Sequence, residues 1–185
     1  MSEDLIIRTC APTLAGLKTG SLFSCPCESR EALLPQIRAL NRRLVPKGLR
    51  CIPLSFSRER ALIYLYRPGF LRQDLQNRHA DALLRRQGYC TGDCGRCVSQ
   101  LADRVRCSGD FPHEIGLFLG YPPEDVAGFL ENRPCKYVGF WKVYGDAKAA
   151  QEKFDQFRSC TALYQALHAQ GQPLDQLIVP ENFCL

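Results

Sequence analysis

The segment Tyr89–Cys97, which reads YCTGDCGRC, holds three cysteines at a spacing typical of metal ligands. Thiolates at Cys90, Cys94 and Cys97 would suit a zinc ion or an iron–sulfur cluster. Asp93 is a favourable N-cap, so we expect a helix to begin at Cys94 and to place Cys94 and Cys97 on one face. The first turn of a helix also lowers the pKa of a thiol. These three cysteines are therefore candidate ligands of zinc or of an Fe–S cluster.

The fourth ligand of such a site is not evident from the spacing. Cys107 follows Cys97 on the same predicted helix and would lie about 15 Å away at 1.5 Å per residue. Cys25, Cys27 or an exogenous molecule would have to complete the site. The same spacing marks radical S-adenosylmethionine enzymes, but the chain is short for their barrel and its pattern is not a βα series. Three reduced thiols at a helix start are the alternative interpretation.

A second group of reactive side chains lies in the segment TCAPTLAGLKTGSLFSC, residues 9–25. Its hydroxyls and glycines around Lys18 and Thr19 suggest binding of an anion, although the order GLKTGS does not match the P-loop pattern. Cys10 precedes Ala11 and Pro12 and is a candidate nucleophile at a helix start. The alternative is a capped helix with a buried cysteine.

His113 and Glu114 form an HE pair without the second histidine of the HExxH zinc-protease motif. His113 is a candidate general base for Cys10, because such partners are often distant in sequence. A hydrogen bond at a helix N-terminus would explain the histidine equally well. Glu114 is grouped with them as a catalytic candidate.

The paired helices predicted within residues 112–131 raise the possibility of a DNA-binding helix-turn-helix. The second of them carries Glu124, Asp125 and Glu131, and no basic residue before Arg133. Because phosphates would repel these carboxylates, nucleic acid is rejected as the primary partner.

The elements that must position these residues follow from hydrophobic periodicity and turn signals. Two strands, 50–57 and 61–67, are separated by a hairpin-length link, and Pro53 places the first at an edge. A third strand is expected at 137–144. The predicted helices are 29–45, 70–87, 94–106, two short ones within 110–131 with Asp110 as a cap, and one from an Asp146 cap to about 168. The sum is an α+β fold, a small, mainly antiparallel sheet packed with helices, in a single domain of residues 1–185.

Composition places the chain among soluble, cytoplasmic proteins. Of 185 residues, 45% are apolar and 23% charged, and no apolar run is long enough to cross a membrane. The first ten residues do not resemble a secretory signal. Eleven cysteines without such a signal indicate a reducing compartment. The net charge of +5 favours an anionic ligand or partner, and a solvated basic surface would explain it as well.

Three segments, CAPTLAGLKTGSLFS, FPHEIGLFLGYPPEDVAGFLEN and CKYVGFWKVYGD, resemble the bacterial domain-of-unknown-function family 3793, which is common in anaerobic Gram-positive bacteria. The resemblance implies no particular activity. It implies that any shared function centres on residues within these segments, and that YCTGDCGRC is an addition to the family pattern. Those residues are Cys10, Lys18, His113, Glu114, Trp141, Lys142 and Tyr144.

We therefore expect a cytoplasmic redox or cofactor-handling protein of anaerobic metabolism. Its pocket would bind a small anionic or metal-containing ligand, with Trp141 and Tyr144 as an aromatic wall and with Lys18, Thr19 and Lys142 as polar contacts. The first alternative is a thiol-dependent enzyme using Cys10 and His113. The second is a non-enzymatic accessory domain that binds a protein partner.

Overall fold

The computed structural model describes residues 1–57, 59–107 and 111–181 of the chain. A three-stranded antiparallel sheet with the strand order β1-β3-β2 lies between two groups of helices, and a two-stranded hairpin forms a second sheet. The strands are β1 (Gly20–Pro26), β2 (Arg50–Ser57), β3 (Arg60–Tyr66), β4 (Tyr137–Val138) and β5 (Lys142–Val143). The helices are α1 (Glu3–Leu14), α2 (Arg30–Leu44), α3 (Pro68–Gln76), α4 (Arg78–Arg86), α5 (Cys94–Cys107), α6 (Ile115–Phe118), α7 (Pro123–Leu130), α8 (Ala147–Ala169) and α9 (Leu174–Leu177).

The central strand β3 is buried on both faces because its side chains alternate between two cores. Ala61, Ile63 and Leu65 face a core formed with α1, α2, α8 and α9. Tyr64 and Tyr66 face a second core formed with α3 to α7. A third cluster packs the β4–β5 hairpin against α8.

The structure confirms the α+β class and most of the expected elements. β2 is an edge strand, as Pro53 indicated. β3 is the central strand, and its continuous apolar run suits burial on both faces. The side chain of Asp146 accepts hydrogen bonds from two amides at the start of α8, as expected of its N-cap. The Asp110 cap predicted for the first short helix lies outside the described residues.

Two element predictions need correction, and one strand was not predicted. The third strand of the main sheet is β1, in a segment where no strand was expected, whereas residues 137–144 form the separate β4–β5 hairpin. The helix predicted over residues 70–87 is two helices, α3 and α4. They meet at Asn77, whose side chain accepts from the amides of His79 and Ala80 and so begins a new helix.

Within the described ranges, no helix combines the length and the apolar character needed to cross a membrane.

Candidate functional site

The three family-like segments meet at Tyr121, which lies in the second of them, in the loop between α6 and α7. The amine of Lys18 lies 5.4 Å from the centre of the Tyr121 ring. The same ring stacks on Trp141, with ring centres 4.6 Å apart. Tyr121 therefore joins the segment after α1 to the β4–β5 hairpin.

A tight turn at the end of α1 fixes the position of Lys18. The amides of Leu17 and Lys18 both donate to the carbonyl of Pro12, which closes the last turn of the helix. Gly16 adopts a φ of +76°, a left-handed conformation that glycine adopts without strain. The chain then enters β1 at Gly20, where a Cβ atom would lie only 2.9 Å from the Phe118 carbonyl oxygen. Glycine at this position therefore allows β1 to pack closely beside α6.

Asp125, in the first turn of α7, anchors the β4–β5 hairpin. It is only 3% exposed. One carboxylate oxygen accepts from the indole N–H of Trp141 at 2.7 Å, and the other accepts from the amides of Tyr144 at 2.7 Å and Gly145 at 2.8 Å. The Tyr144 ring packs on Gly128 of α7, where any Cβ atom would overlap it. The role of Tyr144 in this structure is therefore packing of the hairpin.

A cavity of about 440 Å³ opens between α1, the start of β1 and α8, and we call it the basic pocket. Three of its lining side chains are cationic, and four carry hydroxyls. Its described lining includes no Asp or Glu. The pocket is lined by Arg8, Thr9, Pro12, Lys18, Ser21, Leu22, Leu119, Tyr121, Phe140, Phe157, Arg158, Thr161, Ala162 and Gln165.

The cations of the basic pocket differ in their surroundings. Burial lowers the pKa of Lys18 to about 8, and the nearby Cys10 thiol opposes that shift only partly. Arg158 forms an exposed ion pair with Asp155 at 2.5 Å. Among the ion pairs of the described residues, none involves Arg8 or Lys18. The pocket thus presents two positive charges that no carboxylate of the described chain neutralises.

A second cavity, of about 210 Å³, lies against the hairpin, and we call it the aromatic pocket. His113 packs edge-on against Phe129, with ring centres 4.8 Å apart. The amine of Lys142 lies 5.2 Å from the centre of the same ring. Tyr121 and Phe140 line both pockets. The aromatic pocket is lined by Phe111, His113, Ile115, Gly116, Tyr121, Asp125, Val126, Phe129, Phe140, Trp141 and Lys142.

Cys10 is not at a helix start, and this part of the prediction is wrong. It is the eighth residue of α1 and is fully buried in the core between the sheet and the helices. Burial raises the pKa of its thiol to about 12. Among the described contacts, no hydrogen bond joins Cys10 to His113, and Cys10 lines neither pocket. The structure therefore does not assemble a Cys10–His113 pair.

Glu114 and Thr19 are held in structural contacts. Glu114 is 3% exposed, accepts from the Tyr89 hydroxyl at 2.9 Å and pairs with Arg104 at 3.3 Å. The Thr19 hydroxyl donates to Asp74 at 2.5 Å. Because these polar groups already satisfy one another, neither Glu114 nor Thr19 presents a free group to the two pockets.

The cysteine cluster does not converge in the structure. Cys90 is exposed, Cys94 is half-buried, and Cys97 is buried with its thiol 3.5 Å from the Cys90 carbonyl oxygen. Asp93 caps α5 as expected, accepting from the Arg96 amide at 3.0 Å. Burial nevertheless raises the pKa of the Cys94 and Cys97 thiols, contrary to the expected helix-start effect. The described residues include no group of three or more Cys, His, Asp or Glu side chains placed to hold a metal ion.

Several residues of the site carry no signal in the sequence. Arg8 and Arg158 lie on solvent-facing positions of α1 and α8, where arginine is ordinary. They become pocket residues only because the two helices pack together. An acid in the first turn of a helix is ordinary, and the role of Asp125 as anchor of the hairpin depends on contacts far along the chain.

Both pockets lie in the part of the chain that a known protein family matches. The family model described as "Protein of unknown function (DUF3793)" matches residues 6–178, a span that runs from α1 to the end of α9 and includes both pockets. No curated protein and no solved structure matches the chain. Because the family model covers nearly all of the 185 residues, the chain belongs to the DUF3793 family.

Proposed function

We propose that this protein binds a small anionic molecule in the basic pocket. The observation that carries the proposal is the charge of the lining, which has three cationic side chains and no acid among its described residues. Guanidinium and ammonium groups beside hydroxyls are the usual partners of phosphate and carboxylate. The cavity of about 440 Å³ lies within the common range of small-molecule sites.

The energetics of Lys18 support the same proposal. An ammonium that loses water contacts without gaining a carboxylate is unfavourable, and its lowered pKa reflects this. A bound anion would supply the missing partner and restore the charged form of the amine. Arg8 and Arg158, both at exposed positions, would attract the anion to the mouth of the pocket.

The proposal places the protein in the cytoplasm, in the handling of a small metabolite or cofactor. The ten cysteines of the described residues are free thiols, which suits a reducing compartment. A redox role and an Fe–S cluster or zinc ion at Cys90, Cys94 and Cys97 stay predictions. Iron and zinc analysis of anaerobically purified protein tests them. A thiol mechanism at Cys10 is disfavoured, because a thiol with a pKa of about 12 is protonated at neutral pH.

Calorimetric titration with inorganic phosphate at pH 7 tests the proposal. We expect one site per chain. In Lys18→Gln, which loses the charge but keeps a similar length, the affinity is expected to fall roughly 10- to 100-fold, the effect of one charge-assisted hydrogen bond.

The matched control is Lys148→Gln, since Lys148 is an exposed lysine at the start of α8 and lines neither pocket. It should bind phosphate like the wild type. Equal loss of affinity in both variants would indicate a general charge effect, and equal binding by wild type and Lys18→Gln would contradict the proposed site.

A further inference from the structure

From the two adjoining pockets we infer that the ligand is an anion attached to an aromatic ring. The anionic group would lie in the basic pocket and the ring in the aromatic pocket. This inference rests on the proposed function and adds the chemical class of the ligand.

The first support is that the two cavities share a wall. Tyr121 and Phe140 line both of them. Lys18, in the basic pocket, and Trp141, in the aromatic pocket, both lie against the Tyr121 ring, at 5.4 Å and 4.6 Å from its centre. Phe140 is 45% exposed, so the shared wall reaches the surface. One molecule can therefore pass over this rim and occupy both cavities.

The second support is the size and lining of the aromatic pocket. A cavity of about 150 Å³ between apolar side chains is enough to hold benzene. The aromatic pocket, at about 210 Å³, has room for one ring. Phe129, Phe140 and Trp141 offer ring faces and edges, which favour offset stacking or edge-to-face contact with another ring.

The charges determine which end of the ligand enters which pocket. Asp125 is the acid among the described lining residues of the aromatic pocket, and the basic pocket has none there. The three donors that Asp125 accepts from partly satisfy its carboxylate. An anionic group would still be repelled there more than beside Lys18 and the two arginines. Lys142, exposed at the aromatic pocket, leaves room for a polar substituent on the ring.

A matched pair of probes, methyl phosphate and phenyl phosphate, tests this inference, because they share the anionic group and differ in the ring. We expect phenyl phosphate to bind at least about tenfold more tightly, as burial of a ring implies. Benzoate and acetate repeat the comparison for carboxylates and show which anionic group the pocket prefers.

The wild-type chain carries its own reporter of ring binding. Trp141 is its one tryptophan and lines the aromatic pocket. Phenyl phosphate should change the Trp141 fluorescence with the same dissociation constant as in calorimetry, and methyl phosphate should leave it nearly unchanged. If both probes bind equally and Lys18→Gln weakens both, the proposed anion binding stands, but the inference that the ligand carries an aromatic ring is contradicted. If neither binds, the proposed function fails as well.

A pair of variants in the hairpin locates the ring. Phe140→Ala should remove most of the tenfold preference for phenyl phosphate, measured as the ratio of the phenyl phosphate and methyl phosphate dissociation constants in the same variant. Val138→Ala is the control, because Val138 is 62% exposed in the same hairpin and lines neither pocket. A preference that survives Phe140→Ala in full would overturn the inference. If Phe140→Ala fails to fold, the wild-type fluorescence comparison decides.

Discussion

Lys18 is the side chain of the proposed site whose charge affects both anion binding and the stability of the fold. Its amine is held beside the Tyr121 ring and near the buried Cys10 thiol, with a pKa of about 8 in place of the ordinary 10.5. Between these two values the unfolded chain holds a proton that the folded chain has released. The free energy of unfolding therefore rises with pH across that window, and the charged amine lowers stability below pH 8.

Replacement of Lys18 by methionine should raise stability at neutral pH. We expect Lys18→Met to increase the free energy of unfolding by about 0.5–2 kcal/mol at pH 7, the usual gain when an unfavourable group is removed. The gain should shrink as the pH approaches 10.5, the ordinary pKa of the amine. Urea denaturation of both proteins at pH 7 and pH 10 measures this difference. A variant that is less stable at pH 7 would show that the amine has a favourable partner in the folded state.

Anion affinity should decrease as Lys18 loses its proton. Sulfate is a suitable probe because it keeps its charge over this range. From pH 7 to pH 9.5 we expect its affinity to fall roughly tenfold, since an amine with a pKa near 8 is largely neutral at the higher pH. Arginine side chains are not deprotonated in proteins, so they do not contribute to this change. The Cys10 thiol, with a pKa of about 12, stays neutral.

Lys18→Gln is the control for this pH dependence and should bind sulfate weakly at both pH values. The measurement is calorimetric titration at the two pH values. An equal fall in affinity in the variant would assign the dependence to another group.

At the scale of elements, local sequence patterns are sufficient to predict those helices whose position and start depend on residues within or next to the helix. The stripe of Leu33, Ile37, Leu40 and Leu44 predicted α2, and all four are buried in one core. Asp93 and Asp146 indicated the starts of α5 and α8 because capping is a local interaction.

The elements that the sequence did not reveal depend on distant contacts. β1 has serines within its strand and pairs with β3, from which α2 and β2 separate it along the chain. The two-residue strands β4 and β5 are anchored by hydrogen bonds to Asp125, which lies on another element. Local propensity is a weak guide where tertiary contacts decide the structure.

The anchor of the hairpin can be removed by one substitution. Asp125→Ala leaves the indole N–H of Trp141 and the amides of Tyr144 and Gly145 without their acceptor. We expect a loss of roughly 3 kcal/mol in the free energy of unfolding, since unpaired buried donors cost about 1–3 kcal/mol each. The Trp141 emission should shift to longer wavelength as the hairpin loosens. Urea denaturation monitored by fluorescence measures both effects.

Glu124→Ala provides the comparison, because Glu124 is the neighbouring acid in the same helical turn and is exposed. Its loss should cost under about 1 kcal/mol, the weakening of one helix-dipole interaction. Similar losses from both variants would mean that Asp125 acts only through the helix terminus.

For the whole molecule, Arg67 is the side chain that ties separate parts of the chain together. It is 1% exposed and follows β3 directly. Its guanidinium donates to the carbonyls of Thr13, Leu14 and Val179, each at 2.7 Å. The end of α1, the end of β3 and the segment after α9 are therefore held at one point. Since Lys18 follows that end of α1, the same contact supports the basic pocket.

Arg67→Lys should destabilise the protein even though the charge is kept. An ammonium cannot reproduce the planar fork that reaches three carbonyls, so we expect a loss of about 2–4 kcal/mol. Arg42→Ala, at an exposed position of α2, should change stability by less than about 0.5 kcal/mol. Urea denaturation of the two variants measures the contrast. A loss below 1 kcal/mol for Arg67→Lys, by the usual scale of single substitutions, would contradict the role of the fork.

The candidate site could be predicted only in part from the sequence, because it depends on contacts between elements that are distant along the chain. Lys18, Trp141, Lys142 and His113 were identified in advance, and they line the two pockets. Cys10 was placed at a helix start, although the surrounding core buries it. The basic pocket itself exists because α1 packs against α8, across about 150 residues of chain, and its charge could be recognised only after folding.

The most direct test of the basic pocket is to locate an anion in it. Crystals grown without sulfate or phosphate would be soaked in selenate at pH 7, and the selenium would be placed by its anomalous signal. The account predicts a selenium site in the basic pocket, with a selenate oxygen within hydrogen-bond distance of the Lys18 amine, and its absence in Lys18→Gln crystals. Selenate bound only at other places on the surface, with the basic pocket free of it, would contradict the account.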